Sequence, residues 1–358
     1  YTPAALVRST SAAAGSADPG RVTALVRGLV LGGALLAVFW TLFASADRVF
    51  AKLTQDLLPD WDIGMLFARV VIFVAAALVT GAFVVAATRG VPGWLGGLVG
   101  QLDGISFRLG RVEWMAALGL LNALFLAFCA VQLVVLFQGH DHILQTAGLT
   151  YAEYAREGFF QLLVAAALTI VVVCFAWTRA HRETRTERAL LTALLGTLCV
   201  LTLVIVVSAI RRLGLYEEAF GFTRDRLVAH AVALWLGAVL LAMLVAGALG
   251  RTRRLFPVVV GLAAVGLLAF TAINPEAAIA RRNLDRYAET GRIDRDYLRH
   301  LSADAIPVLI EHPDPVTDWV LENSQVILPE SEPWSSANLS RIKARDMLEE
   351  SPVQVPLP

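Results

Sequence analysis

Lysine is almost missing from this chain: Lys52 and Lys343 stand alone against 28 arginines, a bias that fits a GC-rich bacterial genome. No Gly-rich phosphate loop, dinucleotide fingerprint, His-Glu-x-x-His zinc motif or Gly-x-Ser-x-Gly elbow occurs. Nucleotide-driven work and α/β-hydrolase chemistry therefore have no signature here, and no cofactor is expected. The three cysteines, Cys129, Cys174 and Cys199, lie inside apolar runs at spacings unlike a metal site. They read as small hydrophobes and argue against a disulfide framework. The formal net charge is zero and no basic stripe with interleaved aromatics is found, which argues against nucleic acid as a partner. Prolines are scarce within the apolar runs, where only Pro257 falls, near one end. A transporter built on helices broken at the membrane midplane would need such breaks in two spans, so transport is the least favoured role.

What the chain has in excess is apolar residues: 57% of the total, with a mean hydropathy of +0.65. They are gathered into seven runs long enough to cross the roughly 30 Å hydrocarbon layer as helices, at 28–46, 64–87, 115–137, 158–178, 189–210, 227–249 and 255–273. The runs are apolar on every face, which excludes the alternating pattern of a membrane barrel. The expected fold class is all-α: a polytopic transmembrane bundle over 28–273, preceded by an arm or linker at 1–27 and followed by an acidic, mostly helical tail at 274–358. Small residues such as Gly28, Gly32, Gly33 and Ala34 would let helices approach closely. The start at Tyr1 and the Ala/Ser/Gly-rich stretch at 9–20 suit a connection from helices further upstream.

Orientation follows from the arginines. Alternate connections on one side carry 13 cations, including Arg179, Arg182, Arg185 and Arg188, whereas the loops on the other side carry seven and more acid. Cationic loops stay in the cytoplasm. The expected threading thus places the N-terminus in the cytoplasm and the tail outside. In the tail, Asn274-Pro275-Glu276 combines a cap residue, a first-turn proline and a dipole-favoured acid, so a helix should restart there and run toward Tyr287. Asp304 is expected to cap another, a short helix is expected over 317–322, and Ser336 is expected to cap the last. With no room for a long linker after the last span, the tail should sit as a small cap over the outer loops.

Under this threading the polar segments of the chain gather on the outer face. Asp47 closes the first span, where some membrane glycosyltransferases hold a catalytic carboxylate. His140, Asp141 and His142 offer imidazole and carboxylate ligands, but only part of a metal shell, and a solvated loop is the preferred reading. Glu153 could act as a general acid or base, although Thr150-x-x-Glu153 has the spacing of a capping box. Arg156 sits at the water boundary, where arginines snorkel. Glu217 and Glu218 are adjacent and so point to different helix faces, which makes a two-carboxylate pair improbable; Arg211, Arg212, Arg224 and Arg226 are expected to neutralise them. The pool of candidate catalytic groups is Asp47, Glu153, Arg156 and Glu218. Three polar side chains lie deeper, Arg69, Gln132 and His230, and these could share a polar cavity beneath the outer loops.

The phrases Ser45-Ala46-Asp47, 149–159 (LTYAEYAREGF), 216–224 (YEEAFGFTR), Asn274-Pro275-Glu276-Ala277 and 301–305 (LSADA) resemble an uncharacterised family of bacterial inner-membrane proteins, domain of unknown function 4173, and its relative 4153. The resemblance runs from Gly28 to about Ile310. It implies further spans upstream and offers no activity. The sequence alone therefore points to a binding, sensing or assembly component whose partners are membrane lipids and a membrane or envelope protein. The main alternative is an envelope enzyme acting on a lipid-linked or cell-wall substrate.

Overall fold

The computed structural model describes residues 19–55, 109–137, 158–324 and 339–350. Among these residues the structure is helical throughout, its only β feature being an isolated bridge between Leu109 and Ala180. Of the described residues before the tail, the helices are α1 (Pro19–Ala46), α2 (Arg48–Gln55), α3 (Arg111–Phe137), α4 (Phe159–Arg179), α5 (Arg185–Phe220), α6 (Arg224–Ala248) and α7 (Leu255–Ala272). The tail carries α8 (Pro275–Thr290), α9 (Arg295–Leu298), α10 (Ile306–Ile310), α11 (Pro315–Glu322) and α12 (Leu339–Glu350). Among the described residues six helices are long and apolar enough to span a bilayer, namely α1 and α3 to α7. They coincide with six of the seven expected runs; the run at 64–87 lies outside the described residues. The protein is an all-α polytopic membrane protein.

The chain divides into two compact units, Tyr1–Gly139 with Val164–Val204, and His140–Leu163 with Ile205–Pro358. In the first, α1 and α3 run parallel. Gly28 meets Glu113, Gly32 meets Ala117, Phe39 meets Phe125, Phe43 meets Phe128 and Asp47 meets Gln132, an offset of about 85 residues all along. A Cβ on Gly28 would stand 2.7 Å from the Cα of Glu113, so only glycine permits this backbone approach. Further along, the Phe43 and Phe128 rings stack at 4.1 Å with Phe125 edge-on to Phe43 at 4.9 Å. Lipid tails are as apolar as these side chains, so contact geometry and dispersion hold the pair, with no gain from excluding water. Hydroxyls inside the spans return their hydrogen bonds to the preceding turn, as in Thr41 to Ala37 O at 2.7 Å and Thr202 to Leu198 O at 2.6 Å. The start of α3 is pinned where the Leu109 N–H donates to Arg179 O and the His181 N–H donates to Leu109 O.

In the second unit, α5 runs ten residues beyond its apolar stretch, because no proline falls between Arg211 and Phe220 and the single Gly214 there costs only about 1 kcal/mol. Gly221 ends it with φ +83°, its N–H donating to Glu217 O at 2.7 Å. A side chain at 221 would also strike Asn283 Oδ1 at 2.7 Å. The turn leads into α6, then through a 3₁₀ turn (Thr252–Arg254) into α7, which has no buried residue and is apolar all round.

The tail has a core of its own. Ile279, Leu284, Ile306, Leu309, Val320 and Leu321 are buried together, with Phe222 and Leu227 from the α5–α6 turn packed against them. Here water is the solvent, and burying each aliphatic side chain contributes about 1.5–3 kcal/mol. The α8 helix starts as its sequence signals: Asn274 accepts from the Ala277 N–H and Pro275 takes the first position. Asp314 caps α11, accepting from the Val316 N–H while Thr317 accepts from the Asp314 N–H. Asp304 departs from expectation. It lies inside a 3₁₀ turn (Ala303–Ala305) that begins after Ser302, because Pro307 is already committed to the first turn of α10. Ser336 lies outside the described residues, and α1 already begins at Pro19, within the stretch expected to form an arm.

Candidate functional site

Among the described residues, two of the polar clusters at helix ends hold the candidate groups, one in each unit. In the first unit Asp47 ends α1 and caps α2. Its Oδ1 accepts from the Val49 and Phe50 N–H groups at 2.9 and 3.0 Å, and its Oδ2 accepts from Gln132 Nε2 at 2.9 Å. The side chain is 1% exposed. A carboxylate so enclosed, with both oxygens engaged, acts as a structural joint between α1, α2 and α3. It satisfies the first amides of α2, which would otherwise be orphaned.

In the second unit, the turn between α5 and α6 meets the beginning of the tail. Glu217 is 2% exposed, and His230 Nδ1 lies 3.2 Å from its Oε1, donating in the tautomer that carries the proton there. The neighbouring Glu218 faces solvent. Arg224 opens α6 and pairs with Glu276, whose Oε1 accepts from both its Nε, at 2.7 Å, and its Nη2. Glu276 Oε2 accepts from the Ser302 N–H at 3.2 Å, so this buried carboxylate ties α6 to two parts of the tail. The Arg224 N–H donates to the Tyr297 hydroxyl at 2.8 Å; burial is the main cause that pushes the Tyr297 phenol above its ordinary value. Asn283 closes the lock by accepting from the Phe222 N–H and donating to Phe222 O. Arg286 adds hydrogen bonds to Glu218 O and Ala219 O at 2.8 Å each. Arg226 donates to Gly221 O and lies over the Tyr216 ring at 4.2 Å.

These groups enclose a cleft of about 610 Å³ between the helix ends and the tail. One wall is aromatic and aliphatic, with Phe159, Phe160, Leu213 and Ala229. The polar part of the lining carries Arg224, Asp225, Arg226, Glu276, Tyr297 and His300. Such a volume, with a few convergent polar groups over an apolar floor, suits a small amphiphile.

Of the residues singled out from sequence, Arg69, His140, Asp141, His142, Glu153 and Arg156 lie outside the described residues. Gln132 is paired with Asp47 in one unit and His230 with Glu217 in the other. Among the described residues no group of three metal-ligating side chains is present. The expected pairing of Arg224 with Glu217 and Glu218 is corrected: Arg224 goes to Glu276, because the α5–α6 turn carries it toward the tail. Sequence reasoning missed Glu217, Glu276, Tyr297 and Asn283 as the groups that join elements. The only signal for Glu276 was its place in the first turn after the last span.

The sequence matches, over residues 1–312, the family described as a domain of unknown function (DUF4153). The chain belongs to this family. The match is to the relative numbered 4153 in the resemblance above, and the family's description carries no activity. No curated protein and no solved structure matches the chain.

Proposed function

We propose that this membrane protein is a binding component of a bacterial inner membrane, with its N-terminus in the cytoplasm and its tail outside as a folded cap over the helix ends. The observation that carries the reading is the polar lock of Arg224, Glu276 and Asn283. It holds the tail's own hydrophobic core against the α5–α6 turn and so builds one wall of the cleft. The excess of arginine on the connections of the opposite side supports the orientation. The parallel course of α1 and α3 also fits the seven-span threading, because two parallel spans need a return crossing between them. A protein partner of the envelope would meet the exposed face of the cap. The enzyme alternative has less support, since Asp47 is engaged as a cap and Glu218 is exposed in a groove where Asp285 and Glu289, also exposed, stand among Arg282 and Arg286.

The test is accessibility in intact cells. With Cys129, Cys174 and Cys199 replaced by alanine, a membrane-impermeant maleimide should label Glu289→Cys in the tail and leave Thr184→Cys, in the α4–α5 turn, unlabelled until the cells are opened. The reverse pattern overturns the orientation and with it the outward-facing cleft.

A further inference from the structure

Resting on that reading, we propose that the cleft binds the headgroup of a zwitterionic phospholipid bearing a primary ammonium, of the phosphoethanolamine type, which enters sideways from the bilayer. The cleft's apolar side comes from the ends of membrane-spanning helices. Phe160, in the first turn of α4, is 69% exposed although it lines the cleft, so the opening faces the surface that α4 presents to lipid. An acyl chain can therefore stay in the bilayer while its headgroup lies beneath the cap.

The charges of the polar side select the headgroup. Glu276 is buried and committed to Arg224 and the Ser302 N–H. The Arg224 side chain is 63% exposed, and among the described residues neither it nor Arg226 has acceptors for all of its N–H groups. These donors suit a phosphate, since guanidinium forks match its oxygens. Asp225 is exposed and makes no hydrogen bond or ion pair among the described residues. Of the two carboxylates that line the cleft it is the one whose oxygens accept no hydrogen bond, although its charge already acts on Arg224 and Tyr297. A purely anionic headgroup would meet Asp225 unfavourably. A quaternary ammonium has no N–H to donate to Asp225, and the Tyr216 face that could receive it is already covered by Arg226. A primary ammonium, which can donate hydrogen bonds to a carboxylate, fits both conditions.

The experiment uses the full chain, delipidated in mild detergent, and measures binding of phosphatidylethanolamine, phosphatidylcholine, phosphatidylglycerol and free phosphoethanolamine by native mass spectrometry and thermal shift. Phosphatidylethanolamine should bind at one per chain and about tenfold more tightly than the other two lipids, a ratio typical of one charged hydrogen bond. Arg226→Gln should weaken it about tenfold. Arg226 also braces the turn, so Asp225→Asn serves as the second variant. It should abolish the preference over phosphatidylglycerol while leaving the melting temperature unchanged. Phe160→Ala should weaken the lipid without altering phosphoethanolamine. Equal binding of the three lipids, wild-type preference in Asp225→Asn, or phosphoethanolamine binding as tightly as the lipid each overturns the proposal. None of these outcomes bears on the orientation, which the labelling experiment decides separately.

Discussion

The α1–α3 pair and the tail both bury apolar side chains almost completely, yet they do so in different solvents. Phe39, Phe43, Phe125 and Phe128 are enclosed in a region whose alternative surroundings are lipid; Ile306, Leu309 and Val320 are enclosed where the alternative is water. The first set gains only from the fit of one surface to another, which is why a glycine at 28 and stacked rings mark the contact. The second gains the transfer free energy of each side chain as well, so a small tail with short helices can hold a core. Polar groups follow the same division. Asp47 is sealed between helices and used up in capping, whereas Glu276 and Arg224 sit at the water boundary and leave donors facing a cleft.

Trimming a side chain in each region breaks the comparison most strongly. Leu309→Ala should destabilise the tail by about 2–4 kcal/mol, the usual sum of lost transfer and cavity terms, and open it to protease before the spans unfold. Leu121→Ala, equally buried in α3, should cost roughly half as much on unfolding in a bilayer mimic, because only the packing part is lost. Equal costs would mean that the two cores are held by the same force. Next in size, Gly28→Val should destabilise the α1–α3 pair by about 1–3 kcal/mol through its clash with the Glu113 backbone, with no change in tail protection. Asp314→Ala should cost the tail about 1 kcal/mol, visible as faster exchange of the first amides of α11.

The smallest effect is one of pH. Burial raises the Tyr297 phenol above its unfolded value of about 10, so its contribution is complete below that pH and is lost as pH rises through the raised folded value. The cap should hold through neutral and mildly alkaline solution and loosen only beyond it, and Tyr297→Phe should remove that alkaline step.

The spans were legible because twenty apolar residues in sequence have few alternatives to a membrane helix. The restart at Asn274-Pro275-Glu276 was equally plain, its cap chemistry being local. The joints were not legible. Asp47 and Gln132 are 85 residues apart, and only the parallel register of α1 and α3 brings them together. The choice between Glu217 and Glu218 depends on helix phase across the C-terminal end of α5, which polar composition does not reveal; the exposed one entered the candidate pool and the buried one did not. Arg224 appeared to belong to its nearest acids in sequence, but Gly221 turns the chain and hands it to Glu276. Asp304 failed as a cap because cap propensity says nothing about which of two nearby polar residues, Ser302 or Asp304, precedes the turn.

The central claim, that the tail is a folded cap locked to the α5–α6 turn, is tested most directly by hydrogen exchange on the full chain in nanodiscs, comparing wild type with Glu276→Ala. Amides from Ile279 to Leu321 should exchange slowly and as one cooperative unit in the wild type, and that protection should fall while α1 and α3 keep theirs. Rapid exchange throughout the wild-type tail, or protection untouched by Glu276→Ala, would contradict it.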